Sequence, residues 1–63
     1  MKFTVEELFD IAKDEYCKAG MPVTDEGAGN WAMLSANEDY ESIDDVRSEL
    51  RKYIEIERRL NYA

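Results

Sequence analysis

The longest periodic stretch of apolar and polar positions covers residues 42–60, and its spacing predicts an amphipathic α-helix. Ser42 stands three residues before Asp45, which is typical of a helix start. The hydroxyl accepts a backbone N–H, and the carboxylate interacts with the positive end of the helix dipole. The apolar side chains form one broad stripe, made up of Ile43, Val46, Leu50, Tyr53, Ile54 and Leu60, with Ile56 on its flank. No neighbouring segment is able to cover this stripe, so we expect burial against a partner.

Glu57 interrupts the apolar stripe and allows two interpretations. Because it is near the helix end, its carboxylate is able to reach water past Leu60, as long charged side chains commonly do. Alternatively, Glu57 lies at an interface and pairs with an arginine of another chain. No second titratable group accompanies it, which argues against a catalytic acid.

A second helix is predicted from Thr4 to about Ala19. Thr4 and Glu7 have the spacing of a capping box, in which each side chain accepts the backbone N–H of the other residue. Gly20 suits the left-handed conformation that often follows a helix, and Pro22 prevents the helix from continuing. One face of this helix is apolar and consists of Val5, Leu8, Phe9, Ala12, Tyr16 and Ala19.

The segment between the helices has two parts. Residues 23–30 are rich in turn formers and predict a connector. Residues 31–36 form either a short helical turn or a short strand, and the preceding glycines favour the strand. A lone strand would leave backbone groups unpaired unless it met the same strand of a second copy. The expected fold is therefore mainly α with a small β component, a single helix–strand–helix domain over residues 1–63 that forms an intertwined homodimer.

Composition narrows the functional classes. The 63 residues include one cysteine and no histidine, so an internal disulfide and the commonest metal ligand are both excluded. A chain of this length buries only about 60% of its unfolded surface, and small folds without such staples often oligomerise. We expect neither a membrane span nor a signal peptide, and a lone cysteine fits a cytoplasmic location.

The net charge of −7 comes entirely from residues 1–41, which contain ten acids and three lysines. Direct nucleic-acid binding is therefore not expected, because phosphate contacts require a basic surface. Cys17 follows Asp10 and Asp14 on the acidic side of its helix, and negative neighbours disfavour a reactive thiolate. We predict no enzymatic activity and no cofactor.

Two hypotheses of binding remain. In the first, a helical dimer presents an apolar groove that captures an amphipathic helix of another protein. The residues expected at the dimer or partner interface are Phe9, Tyr16, Trp31, Met33, Leu34, Leu50, Tyr53, Ile54, Ile56, Glu57 and Leu60. In the second, the acidic row Glu6, Asp10 and Asp14 mimics nucleic acid and occupies the basic site of a DNA-binding protein. An ordinary solvated helix face would have the same pattern.

The chain also resembles a family of small early proteins of lambdoid temperate phages, encoded between the exonuclease and excisionase genes. The resemblance rests on the order of the elements and on two stretches, Phe3-Thr4-Val5-Glu6-Glu7-Leu8-Phe9-Asp10 and Tyr16-Cys17-Lys18-Ala19-Gly20. It implies a dimeric helix–strand–helix fold, no enzymatic role, and an effect during infection that favours lytic growth. The family offers no catalytic or metal-binding residues to transfer to this chain.

Overall fold

Residues 1–62, the part of the chain that the computed structural model describes, form three α-helices and one π-helical turn. In chain order these are α1 (Val5–Lys18), the π-helical turn (Asp25–Gly29), α2 (Asn30–Ser35) and α3 (Ile43–Tyr62). The mainly helical prediction is confirmed. The Cα radius of gyration is 10.8 Å, close to the value of about 10.6 Å expected for a compact chain of this length.

The ends of α1 are stabilised as the sequence predicts. The Thr4 hydroxyl accepts the Glu7 N–H at 3.1 Å, and the Glu7 carboxylate accepts the Thr4 N–H at 2.9 Å, which completes the capping box. At the other end Gly20 has a φ of 71°, and the Met21 N–H donates to the Tyr16 carbonyl at 2.9 Å. This pattern satisfies carbonyls that the helix end would otherwise leave without partners.

The predicted strand at residues 31–36 is absent, because the structure has α2 at this position. Thr24 starts the helical stretch earlier: its hydroxyl accepts the Gly27 N–H at 3.0 Å, and its carbonyl accepts the Gly29 N–H at 3.1 Å. The π-helical turn leads directly into α2. A helix of six residues is too short to be stable alone, so we attribute its stability to the burial of Trp31 and Ala32. With a helix here, backbone pairing no longer requires a second copy.

The core forms within one chain. Ten apolar side chains are buried, and they come from α1, α2, α3 and the connecting segment: Leu8, Ala12, Tyr16, Met21, Ala28, Trp31, Ala32, Val46, Leu50 and Ile54. The expectation that one copy is unable to cover its α3 stripe therefore holds only for part of that stripe. Among the side chains that the structure describes, eight other large apolar ones remain at least 40% exposed.

A buried carboxylate joins α1 to α3. Glu15 on α1 is only 4% exposed, and its carboxylate accepts hydrogen bonds from Arg47 at 2.6 Å and from Arg51 at 3.1 Å. Burial opposes ionisation of Glu15, but the hydrogen bonds from Arg51 and Arg47 outweigh it and lower the pKa of the carboxyl. Arg47 also donates to Asp14 at 2.8 Å. Both arginines lie outside the apolar stripe that the sequence predicts for α3.

We expect Leu50→Ala to lower the free energy of unfolding by about 2–5 kcal/mol, because Leu50 is fully buried and its truncation leaves a cavity. Leu34→Ala is the matched control, and since Leu34 is 63% exposed its effect should stay within about 0.5 kcal/mol. Urea unfolding followed by circular dichroism measures both. Equal effects of the two substitutions would show that this core does not form.

We expect Glu15→Gln to destabilise the protein at neutral pH by about 1–3 kcal/mol, because the charged hydrogen bonds to both arginines weaken. The folded-state pKa is lowered, so the wild-type carboxylate stabilises the fold above the ordinary value of 4.5 and loses this effect as the pH falls through the folded value. The variant should therefore lose less stability than wild type between about pH 7 and about pH 3.

The matched control for this variant is Glu55→Gln, since Glu55 is 51% exposed and its ion pairs join residues of the same helix. Exposed pairs of this kind contribute little. Urea midpoints at the two pH values compare the variants, and an acid dependence of Glu15→Gln identical to that of wild type would contradict the role of Glu15.

Candidate functional site

An open groove lies between α2 and α3. It has a volume of about 740 Å³ and continues past Tyr53 and Ile56 into a second concavity of about 410 Å³ that ends at Leu60. One wall is formed by Trp31 and Leu34 of α2, and the second concavity reaches the π-helical turn. We call the two concavities together the α2–α3 groove.

The apolar surface of the α2–α3 groove is exposed. Leu34 is 63% exposed, Ile56 57% and Leu60 79%, whereas Tyr53 is half-buried. Tyr53, Ile56 and Leu60 are spaced three and four residues apart, which places them on one side of α3. An exposed group of large apolar side chains of this kind is typical of an interaction site.

The apolar residues of α3 thus contribute both to the core and to the α2–α3 groove. Val46, Leu50 and Ile54 are buried in the core of the single chain. Ile56 and Leu60 lie in the groove. Because α3 packs on α1 along only part of its stripe, the remainder is available to another molecule.

The rim of the groove is acidic. Its one basic side chain among the lining residues is Lys52, which lies 3.6 Å from Glu49. The amine of Met1 contacts Asp39, and its hydrogen bond lowers the pKa of that carboxyl. The acidic residues that line the groove are Glu26, Glu38, Asp39, Glu41, Asp45, Glu49 and Glu57.

Glu57 has a partner inside its own chain. The Tyr16 hydroxyl donates to the Glu57 carboxylate at 3.2 Å, a contact that neither sequence-based interpretation of Glu57 included. A Cβ at Gly27 would lie 2.6 Å from the same carboxylate, so glycine allows Glu57 to approach the π-helical turn. Burial raises the pKa of Tyr53, and the negative charge of Glu57 raises it further.

Of the predicted interface residues, four lie in the single-chain core. Tyr16, Trp31, Leu50 and Ile54 are each at most 5% exposed. Trp31 also lines the groove. Because Trp31 is part of the core, its truncation would test folding and does not isolate binding.

The other predicted interface residues lie at or near the surface. Five of them line the α2–α3 groove, namely Leu34, Tyr53, Ile56, Glu57 and Leu60. Outside the groove lining, Met33 is 64% exposed on α2. Phe9 is half-buried, and the Lys13 ammonium lies 5.4 Å from its ring centre.

The acidic row on α1 is exposed but partly compensated. Asp10 lies 3.1 Å from Lys13, and Asp14 pairs with both Lys18 and Arg47. The hydrogen bond from Arg47, followed by that from Lys18, lowers the pKa of Asp14. Since Asp10 and Asp14 have basic neighbours on α1 and α3, part of the negative charge of the row is compensated.

Sequence reasoning missed the acidic rim as a site. The cluster Glu38, Asp39 and Glu41 is visible in the sequence as an acidic connector. Its position beside α3 depends on α2 being a helix that returns the chain along the groove. The available signal was an acidic cluster directly following an apolar segment.

Comparison with protein-family models, with curated proteins and with solved structures finds no match to this chain. Within residues 1–62, none of the helices combines the length and apolar character needed to cross a lipid bilayer.

We expect Tyr16→Phe to lower the free energy of unfolding by about 1 kcal/mol, because it removes the hydrogen bond to Glu57 and preserves the packing of the ring. Tyr53→Phe is the control, since it removes the same hydroxyl from a half-buried ring in the groove. Urea unfolding compares the two. An equal loss in both variants would contradict a specific contribution from the Tyr16–Glu57 bond.

Proposed function

We propose that this chain is a non-enzymatic binding protein that captures a helical segment of another protein in the α2–α3 groove. The observation that carries the proposal is the exposure of Leu34, Ile56 and Leu60 along one continuous concavity. Apolar side chains of this size are normally buried, and a row of them on a surface gains free energy when a partner covers it.

The mode of capture follows from the secondary structure. No strand occurs within residues 1–62, so the addition of a strand to a sheet edge is not available. Tyr53, Ile56 and Leu60 have the three- and four-residue spacing by which one helix packs on another. A helix in the groove would contact α3 along this row and α2 at Leu34.

The titratable groups also favour binding over catalysis. Asp14, Glu15 and Asp39 all have a lowered pKa. A general acid that works near neutral pH needs a raised pKa, usually from burial away from positive charge. The pKa of each of these three carboxyls is therefore moved in the direction opposite to that of a catalytic acid.

Self-association as a homodimer is part of the proposal. Met33 is 64% exposed on α2 and does not line the groove, so a second copy is able to bind there while the groove remains open. A chain of 63 residues gains stability from such an interface because its own core is small. A dimer of this kind would present two grooves.

The biological setting is proposed from the resemblance to the lambdoid phage early proteins. Under this proposal the protein acts in the cytoplasm of an infected cell, where its binding to a host or phage protein favours lytic growth. The alternative role as a nucleic-acid mimic is less favoured, because Lys13, Lys18 and Arg47 compensate the acidic row on α1.

We expect Ile56→Asp to abolish partner capture from a bacterial extract, because a charge in the centre of the groove would be desolvated on binding. Ile43→Asp is the matched control, since Ile43 is 48% exposed, lies outside the groove lining and begins α3, where an acid is tolerated. Tagged wild type and both variants are compared by pull-down and mass spectrometry.

Sedimentation of the same three proteins tests the dimer. We expect wild type and both variants to sediment as dimers, because the proposed dimer surface lies outside the groove. Retention of the same captured proteins by Ile56→Asp would contradict groove binding, and a monomeric wild type at micromolar concentration would contradict the homodimer.

A further inference from the structure

We infer that the α2–α3 groove selects a basic amphipathic helix, with lysines or arginines at one end of its apolar stripe. This inference rests on the proposed function and specifies the chemistry of the partner. It derives from the charges that surround the groove, because apolar contacts alone do not distinguish one amphipathic helix from another.

The charges of the rim are strongly unequal. Among the described residues that line the groove, seven are acids and one, Lys52, is a base. Among the side chains that the structure describes, Glu38, Glu41 and Asp45 form no ion pair. A partner with positive flanking residues would compensate this charge, whereas an acidic partner would be repelled.

The acidic residues are more numerous at one end of the groove. The concavity near the start of α3 is lined by Glu38, Asp39, Glu41, Asp45 and Glu49, whereas the concavity near its end has two acids, Glu26 and Glu57, beside Leu60. The distance along α3 from Asp45 to Leu60 is about 22 Å, enough for about four turns of a bound helix. The basic residues of the partner should therefore lie at the end of its helix that meets the start of α3.

A second copy of the chain does not meet this requirement. Seven of its eight lysines and arginines already pair with acids of their own chain. On α3, for example, Arg51 pairs with Glu15, and Arg58 also donates to the Ala19 carbonyl. Two grooves facing each other would also bring two acidic rims together. Charge complementarity thus favours a different protein.

The chain contains a natural reporter for this test. Trp31 is its one tryptophan and lines the groove. Three synthetic helical peptides without tryptophan share one apolar stripe and differ at one end, where they have lysine, glutamine or glutamate. Titration of wild-type protein, followed by Trp31 fluorescence, compares their affinities.

We expect the lysine peptide to bind more tightly than the glutamine peptide, and the glutamate peptide to bind most weakly. At about 1 M salt the Debye length is about 3 Å, so the lysine peptide should fall to the affinity of the glutamine peptide. The affinity that remains at high salt measures the apolar contacts.

Removing charge from the rim measures how much the acidic residues contribute to the affinity for the lysine peptide. The double variant Glu38→Gln and Glu41→Gln should bind the lysine peptide about threefold to tenfold more weakly and leave the glutamine peptide unchanged. The matched control is Glu6→Gln with Asp10→Asn, which removes the same charge from the exposed face of α1 and should change neither affinity.

Failure of this inference is distinguishable from failure of the proposed function. The lysine and glutamine peptides could bind wild type equally, and Ile56→Asp could abolish the binding of both. This result would overturn the selection for a basic helix but would leave binding in the groove intact. If the double variant Glu6→Gln and Asp10→Asn loses binding of the lysine peptide, the acidic row on α1 binds the peptide, and the inference about the groove is overturned. If wild type is a dimer and the Ile56→Asp variant is a monomer, the groove holds a second copy of the chain, and the selection of a basic helix is overturned.

Discussion

The contact between α1 and α3 determines what the rest of the molecule is able to do. The Glu15 carboxylate is buried and accepts hydrogen bonds from Arg47 and Arg51, and these bonds accompany one rotation of α3 about its axis. That rotation places Val46 and Leu50 in the core. It also leaves the remainder of the apolar stripe on the surface, where Ile56 and Leu60 line the groove.

Local sequence signals identified the two long helices well. The capping box at Thr4 and the glycine at position 20 are recognisable because each involves residues only a few positions apart. Ser42 begins the last helix in the same way, since its hydroxyl accepts the Asp45 N–H at 3.3 Å. These features depend on neighbouring residues and do not depend on the packing of distant ones.

The sequence was a poor guide where distant contacts decide the outcome. The segment at α2 has too few residues for periodicity to distinguish helix from strand, and its helical form depends on the packing of Trp31 in the core. Glu15 was missed because a carboxylate on α1 gives no sign of burial until two arginines on another helix are placed beside it. The periodicity of α3 identified Val46, Leu50 and Ile54, which are buried, but it did not show that Ile43 and Leu60 of the same stripe are exposed.

The close approach of Glu57 to Gly27 links two positions that lie thirty residues apart. The space that a side chain at position 27 would occupy is already filled by the end of another residue. A bulkier residue at position 27 would displace the end of the Glu57 side chain, which accepts the hydrogen bond from Tyr16, so the two positions are coupled. A pair of this kind should change in concert during evolution, even though neither position alone has any recognisable motif.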